Sequence, residues 1–168
     1  GTPALISGNT VVFKPASHTP VSATKLVEIL VEAGVPKGVV NLVHGTGEDI
    51  GEYLATHPGI DGVSFTGSTA VGEKLAKMCS TMDKEISCEM GGKNAIIVMD
   101  DAKPDLAIEG ALWGAFGTAG QRCTATSRLI VHENIYAKFI DMFVERTKKL
   151  KLGDGLKKTT DGGPLINE

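Results

Sequence analysis

The strongest constraint on the fold is the spacing of short apolar runs ahead of Gly91. Thr10–Phe13, Val39–Val43, Gly62–Phe65 and Ile86–Glu89 are β-branched or apolar and bounded by turn residues, as buried strands are. Three helical patterns lie between them. Thr19-Pro20 offers an N-cap with proline at the first helical position. Leu26, Val27, Leu30 and Val31 then recur at helical spacing until Gly34 and Pro36 stop the run. Ile50, Tyr53 and Leu54 mark a second helix, and Val71, Leu75 and Met78 a third. Alternation of this kind is the signature of a parallel sheet covered by helices, a doubly wound α/β domain of nucleotide-binding type. Ligands of such sheets bind beyond the carboxyl ends of the strands, where Lys14, the Gly45 turn and the Gly67 turn fall.

After Gly91-Gly92 the pattern restarts, so residues 1–90 are expected to form one domain and 91–168 part of a second. Ala95–Met99 reads as an apolar strand, and Pro104 opens a long helix through Leu106, Ile108, Leu112 and Phe116. Leu129–Val131 reads as another strand, and Ile135–Leu150 as an amphipathic helix. The net charge of −3 leaves no basic footprint for nucleic acid and no polybasic membrane patch. No apolar run approaches the ~20 residues of a membrane span. Gly1 and the closing Gly163–Glu168 both read as cuts through a longer chain.

Two stretches carry chemistry. Phe116-Gly117-Thr118-Ala119-Gly120-Gln121-Arg122-Cys123-Thr124 ends a helical run with two glycines before a cysteine that has a cation beside it. A thiol attacks as the thiolate, a form that a nearby cation favours. Glu89-Met90-Gly91-Gly92-Lys93-Asn94 places a carboxylate directly before a glycine pair. A carboxylate and a thiol that meet in a fold can serve as base and nucleophile, although an isolated cysteine is more often a small buried apolar group. The three cysteines have no CxxC spacing, and His18, His44, His57 and His132 are scattered. A disulfide framework and a metal site are therefore not expected, and a reduced, cytoplasmic compartment is. Cys88 alternates to the face opposite Glu89 and reads as core; Cys79 closes a helix and reads the same way.

Three weaker signals surround them. Gly45, Gly47 and Gly51 are spaced GxGxxxG, not the GxGxxG dinucleotide fingerprint, so this is either a cofactor contact or an ordinary strand-to-helix turn. Thr66-Gly67-Ser68 ends a strand and opens a helix whose free N–H groups can hold a phosphate, while Ser68 is also a good N-cap. Lys14 at a strand end can act on a nucleotide as a point charge or face solvent.

Taken together, Gly8-Asn9-Thr10-Val11-Val12-Phe13-Lys14-Pro15, Phe65-Thr66-Gly67-Ser68, Glu89-Met90-Gly91-Gly92-Lys93-Asn94 and Gly120-Gln121-Arg122-Cys123 resemble the aldehyde dehydrogenase superfamily. The likeness covers essentially the whole chain in order. It implies a Rossmann-type NAD(P)-binding domain followed by part of a catalytic domain. Cys123 would attack an aldehyde and Glu89 would activate the thiol or the hydrolytic water. The Cys123 N–H would supply half an oxyanion hole. Lys14, Ser17, Gly47, Thr66, Gly67, Ser68 and Gly91 would line the cofactor, either NADP or NAD. The position matching Ser17 is glutamate in many NAD-preferring members, so serine there points toward NADP.

The resemblance also implies a homodimeric or homotetrameric parent. Its look is that of succinate-semialdehyde and 2-oxoglutarate-semialdehyde dehydrogenases, so Arg122, ahead of Arg128, is the expected anchor for an acidic substrate. The family's oxyanion-hole asparagine and a second cofactor glutamate would fall outside this segment, and the segment alone is expected to be inactive. Two other readings stay open. A CoA-acylating enzyme of the same fold would not depend on Glu89, and a non-catalytic, crystallin-like module would use neither residue.

Overall fold

Proline and glycine set the bounds of most elements. Pro3 opens a short helix α1, Thr2–Ile6, which the apolar pattern does not announce. Gly8, at φ +84°, turns the chain into strand β1, Val11–Phe13. Pro20 occupies the first turn of helix α2, Pro20–Glu32, behind the N-cap Thr19, and Gly34 ends it at φ +96°. Strand β2, Val40–Leu42, runs parallel to β1 with Val11 opposite Val40 and Phe13 opposite Leu42. The computed structural model describes residues 1–167. They divide into two compact units, one of Gly1–Glu89 and one that begins at Met90.

The rest of the first unit continues the alternation. A wide π-type turn, Gly47–Gly51, leads into helix α3, Glu52–Thr56. Strand β3, Gly62–Gly67, helix α4, Thr69–Ser80, and strand β4, Glu85–Met90, follow. Ala55 of α3 and Leu75 and Cys79 of α4 form a buried core against Val63, Phe65 and Ile86 of β3 and β4. The Lys84 ammonium closes this layer by donating to the Ala55 and His57 carbonyls. The strands are hydrogen-bonded as two pairs, β1–β2 and β3–β4, rather than as one four-stranded ladder. Strands consecutive in sequence are neighbours only about two-thirds of the time, and the α3 crossover between β2 and β3 is where adjacency breaks.

The second unit is a βαβα arrangement. Strand β5, Asn94–Val98, pairs in parallel with strand β6, Thr126–Val131, and helix α5, Pro104–Phe116, crosses between them. Helix α6, Glu133–Thr147, follows. Val98, Ile108, Ala111 and Phe139 are buried together, with Ile96, Leu129 and Val131 packed around them. The α5 and α6 helices are also joined by Arg146, which pairs with Asp105 at 3.0 Å and with Glu109. Parallel strands with helices packed on them make the architecture α/β. Among the described residues no helix is long and apolar enough to cross a membrane.

Two substitutions separate the contributions to this unit. Ile108 is fully buried, so Ile108→Ala is expected to cost about 2–5 kcal/mol through lost transfer energy and a residual cavity. Arg146→Ala removes exposed ion pairs and is expected to cost less than about 1 kcal/mol. Urea titration of both variants gives the comparison, and equal losses would mean that the α5–α6 contact is held by charge.

Candidate active site

The cysteine segment begins where α5 loses its handedness. The helix ends at Phe116, and Thr118 and Ala119 then adopt φ of +56° and +55°, with Gly120 at +69°. Only glycine enters this region freely, and other residues cost roughly 1–2 kcal/mol each. At Gly120 there is no alternative, because a Cβ would lie 2.8 Å from the Ala115 carbonyl oxygen. Cys123 and Thr124 are then the central residues of a turn closed by the Ala125 N–H on the Arg122 carbonyl at 3.0 Å. Cys123 is exposed, whereas Cys79 is fully buried and the half-buried Cys88 points its Sγ at the Gly72 carbonyl. Among the described residues no acceptor takes the Cys123 N–H.

Side chains on three sides hold this turn. The Asn94 amide, at the start of β5, donates to the Cys123 carbonyl at 2.7 Å and to the Ala125 carbonyl at 3.3 Å. The Gln121 Oε1 accepts from the Ile166 N–H at 3.2 Å. Arg122 turns back onto α5, where its Nη2 donates to the Trp113 carbonyl at 2.6 Å and the Gly114 carbonyl at 3.3 Å. Its guanidinium also lies 4.9 Å from the centre of the Trp113 ring. The Gly114 carbonyl is among the last four of the helix, which need outside donors, while the Trp113 carbonyl also accepts the Gly117 N–H. Arg122, the expected anchor for an acidic substrate, thus fastens the helix end through its Nη2. Arg128 is engaged too, through Nε and Nη2 on the Lys93 carbonyl.

Glu89 sits near the end of β4, where exposure alternates residue by residue. Glu89 faces outward and Cys88 inward, as period-two side-chain geometry requires. Its carboxylate has no hydrogen-bond or ion-pair partner among the described residues. Gly91 follows in open space between β4 and β5.

The expected cofactor residues fall into two places in the first unit. At the carboxyl ends of β1 and β2, the Lys14 ammonium donates to the Pro15 carbonyl at 2.7 Å and the Gly45 carbonyl at 3.4 Å. It therefore spans the two strand ends beside the turn that contains Gly47. Ser17 lies at the exposed tip of a turn closed by the Thr19 N–H on the Ala16 carbonyl. At the end of β3, Thr66 and Gly67 complete the strand and Ser68 caps α4 by accepting the Val71 N–H at 3.4 Å. Gly67 leaves no room for a side chain, since a Cβ would meet the Phe65 ring at 2.5 Å. Phe65 thus folds over the backbone just ahead of the α4 N-terminus, where the N–H groups are available to an anion. An ammonium across two parallel strand ends, together with an open helix N-terminus, fits a dinucleotide in charge and donor supply. Sequence reasoning missed Asn94 as a site residue. It closes the glutamate motif, and nothing in its spacing announces the contact with Cys123.

An α/β chain with an exposed cysteine in a turn after a helix defines the class as a thiol-bearing α/β protein. The aldehyde dehydrogenase family model matches residues 2–168, and the chain belongs to that family. It is 45% identical over 166 residues to the alpha-ketoglutaric semialdehyde dehydrogenase of Bacillus subtilis, covering 99% of this chain and 34% of that protein. It is 47% identical over 166 residues to the D-glyceraldehyde dehydrogenase (NADP(+)) of Thermoplasma acidophilum, covering 99% and 33%. Among solved structures, the betaine aldehyde dehydrogenase of Staphylococcus aureus in complex with NAD+ superposes with a TM-score of 0.95 at 40% identity. That match covers 98% of this chain and 33% of the other. The chain thus spans about a third of the length of the relatives it matches.

The left-handed turn yields a stability test. Ala119→Gly should raise stability by up to about 1–2 kcal/mol, since it relieves a positive φ without removing a hydrogen-bonding side chain. Gly120→Ala should lower it. Chemical denaturation reads both, and destabilisation by Ala119→Gly would mean that the turn is not held in this conformation.

Proposed function

We propose that the whole protein oxidises an aldehyde to a carboxylic acid with NAD(P)+, using Cys123 as nucleophile and Glu89 as base. The observation that carries this reading is Cys123 itself, exposed in a side-chain-held turn with its own N–H unpartnered among the described residues. In this reading the Cys123 thiol gives its proton to solvent and the Sγ thiolate forms a bond to the aldehyde carbon. The carbonyl oxygen becomes an oxyanion, and the Cys123 N–H is one of the donors that stabilise it. Hydride acceptance is the chemistry that a bound NAD(P)+ would supply, and once this carbon has lost its hydride the adduct on Cys123 is a thioester. Water then attacks the thioester carbon while Glu89 takes its proton. The C–S bond breaks to release the acid and the Cys123 thiolate, and the proton held by Glu89 passes to the sulfur to restore the thiol.

Lys14, Ser17, Gly47, Thr66, Gly67, Ser68 and Gly91 are the residues proposed to hold the dinucleotide. A semialdehyde is the proposed substrate, on the similarity to an alpha-ketoglutaric semialdehyde dehydrogenase. Arg122 is the proposed anchor for the acidic end of this substrate, since its bonds to α5 use only Nη2. A cytoplasmic, homo-oligomeric enzyme remains part of the proposal. Hydrolytic release is preferred to transfer to CoA because an unpaired carboxylate at Glu89 is suited to activating water.

Mixing the whole protein with NAD(P)+ and a semialdehyde tests the assignment. Cys123→Ser is expected to abolish the rapid release of reduced cofactor. Glu89→Gln is expected to keep that burst and slow steady turnover by about 10²–10⁴-fold, the usual worth of a positioned base. Full steady turnover in Glu89→Gln would remove Glu89 from the deacylation step.

Cofactor choice is tested separately at Ser17. A carboxylate there would repel a 2′-phosphate, at roughly 4 kcal/mol for like charges 4 Å apart at an effective dielectric of 20. Ser17→Glu is therefore expected to raise the Michaelis constant for NADP and leave that for NAD nearly unchanged. An unmoved NADP/NAD ratio of specificity constants would place Ser17 away from the ribose.

A further inference from the structure

We propose that Asn94 is a positioning residue for the Cys123 nucleophile, a role that rests on the reading of Cys123 given above. Asn94 lies five residues beyond Glu89 in sequence, and its side chain reaches the carbonyl of Cys123 itself. Both partners of its amide are carbonyl oxygens, at Cys123 and Ala125. Only the NH₂ end of the amide can face two acceptors, so both of its donors are used.

The placement explains why this contact acts on the thiol. The Cys123 carbonyl belongs to the peptide plane that follows its Cα, so holding it restricts ψ of Cys123. The plane that precedes the Cα joins Cys123 to Arg122, whose side chain is anchored on the last turn of α5. Backbone rotation at the nucleophile is thereby restrained on both sides, and the direction of the Cα–Cβ–Sγ arm follows. The same restraint leaves the Cys123 N–H pointing at no acceptor among the described residues.

The β5–β6 register provides the reach. Asn94 is opposite Thr126, but Ala95 is already opposite Arg128, so β6 carries one extra residue there. That irregularity releases Asn94 from the regular ladder beside the cysteine turn. Gly92 lies against the same contact, and a Cβ built on it would be 3.4 Å from Asn94 Oδ1 and 3.7 Å from the Cys123 carbonyl oxygen. Gly92 and Asn94 of one motif thus both lie against the Cys123 carbonyl of the other.

The whole protein is tested as Asn94→Asp, Asn94→Ala and Cys123→Ala. Asn94→Asp keeps the shape and replaces the donors with acceptors, while Asn94→Ala removes them without adding charge. Either variant is expected to speed hydrogen exchange at the Ala125 amide by about tenfold or more, with the Phe139 amide in the core unchanged. The burst of reduced cofactor should slow by about 100-fold, the scale of a ~1 Å misplacement, with the Michaelis constant for cofactor unmoved. Unchanged exchange at Ala125 overturns the restraint, and faster exchange with an unchanged burst overturns the positioning role. Equal acceleration at Ala125 and Phe139 in both variants also overturns it, because Asn94 would then only support the fold. A burst that survives Cys123→Ala rejects the nucleophile and the proposal together. An abolished burst in Cys123→Ala with a normal one in both Asn94 variants rejects the proposal alone.

Discussion

The second unit depends on how α5 ends. A helix that continued past Phe116 would carry Gln121, Arg122 and Cys123 onward along its axis, away from the start of β6. The reversal through Thr118, Ala119 and Gly120 turns the chain back instead. Two non-glycine residues in the left-handed region cost energy, and such strain persists only where the surroundings over-determine it. Here the surroundings are identifiable. Arg122 ties the far side of the reversal to carbonyls of the helix that precedes it, and Asn94 ties it to β5. The buried set of Val98, Ile108, Ala111 and Phe139 holds β5 and α5 in place, so both anchors are attached to rigid elements.

The first unit places a different chemistry by a simpler rule. Parallel strands put their carboxyl ends on one side, so the loops after β1 and β2 are neighbours. Lys14 uses that adjacency, donating to the Gly45 carbonyl across 31 residues of sequence. The end of β3 offers a helix N-terminus, with Ser68 serving as its cap. Neither group is buried and neither is in an ion pair among the described residues.

Much of this was legible in the sequence. Pro20, Gly34 and Pro104 marked helix bounds because proline and glycine act on the backbone locally, whatever surrounds them. The period-two alternation of β4 separated outward Glu89 from inward Cys88, whereas the helical apolar positions mixed buried Leu75 and Ile108 with exposed Val71 and Leu106. Other features were not legible. Helix α1 is too short to show an apolar period, and β6 begins at Thr126, before the apolar run at Leu129. The division of the first unit into two strand pairs depends on hydrogen bonds between segments, which no local pattern encodes.

The same boundary runs through the site. The sequence by itself determined the chemical inventory: one carboxylate before a glycine pair, one cysteine after a glycine-rich helix end, and a lysine at a strand end. Residue type and local spacing suffice for that, because ionisation, nucleophilicity and turn preference are properties of short stretches. Only the tertiary structure decided what each polar side chain is bonded to. Arg122, adjacent in sequence to the thiol, spends its Nη2 on the end of α5, while Asn94, 29 residues away from Cys123, bonds to its carbonyl. The direction of a long side chain depends on which unsatisfied carbonyls the fold brings within reach. Those carbonyls exist only once α5 has ended and β5 has paired with β6.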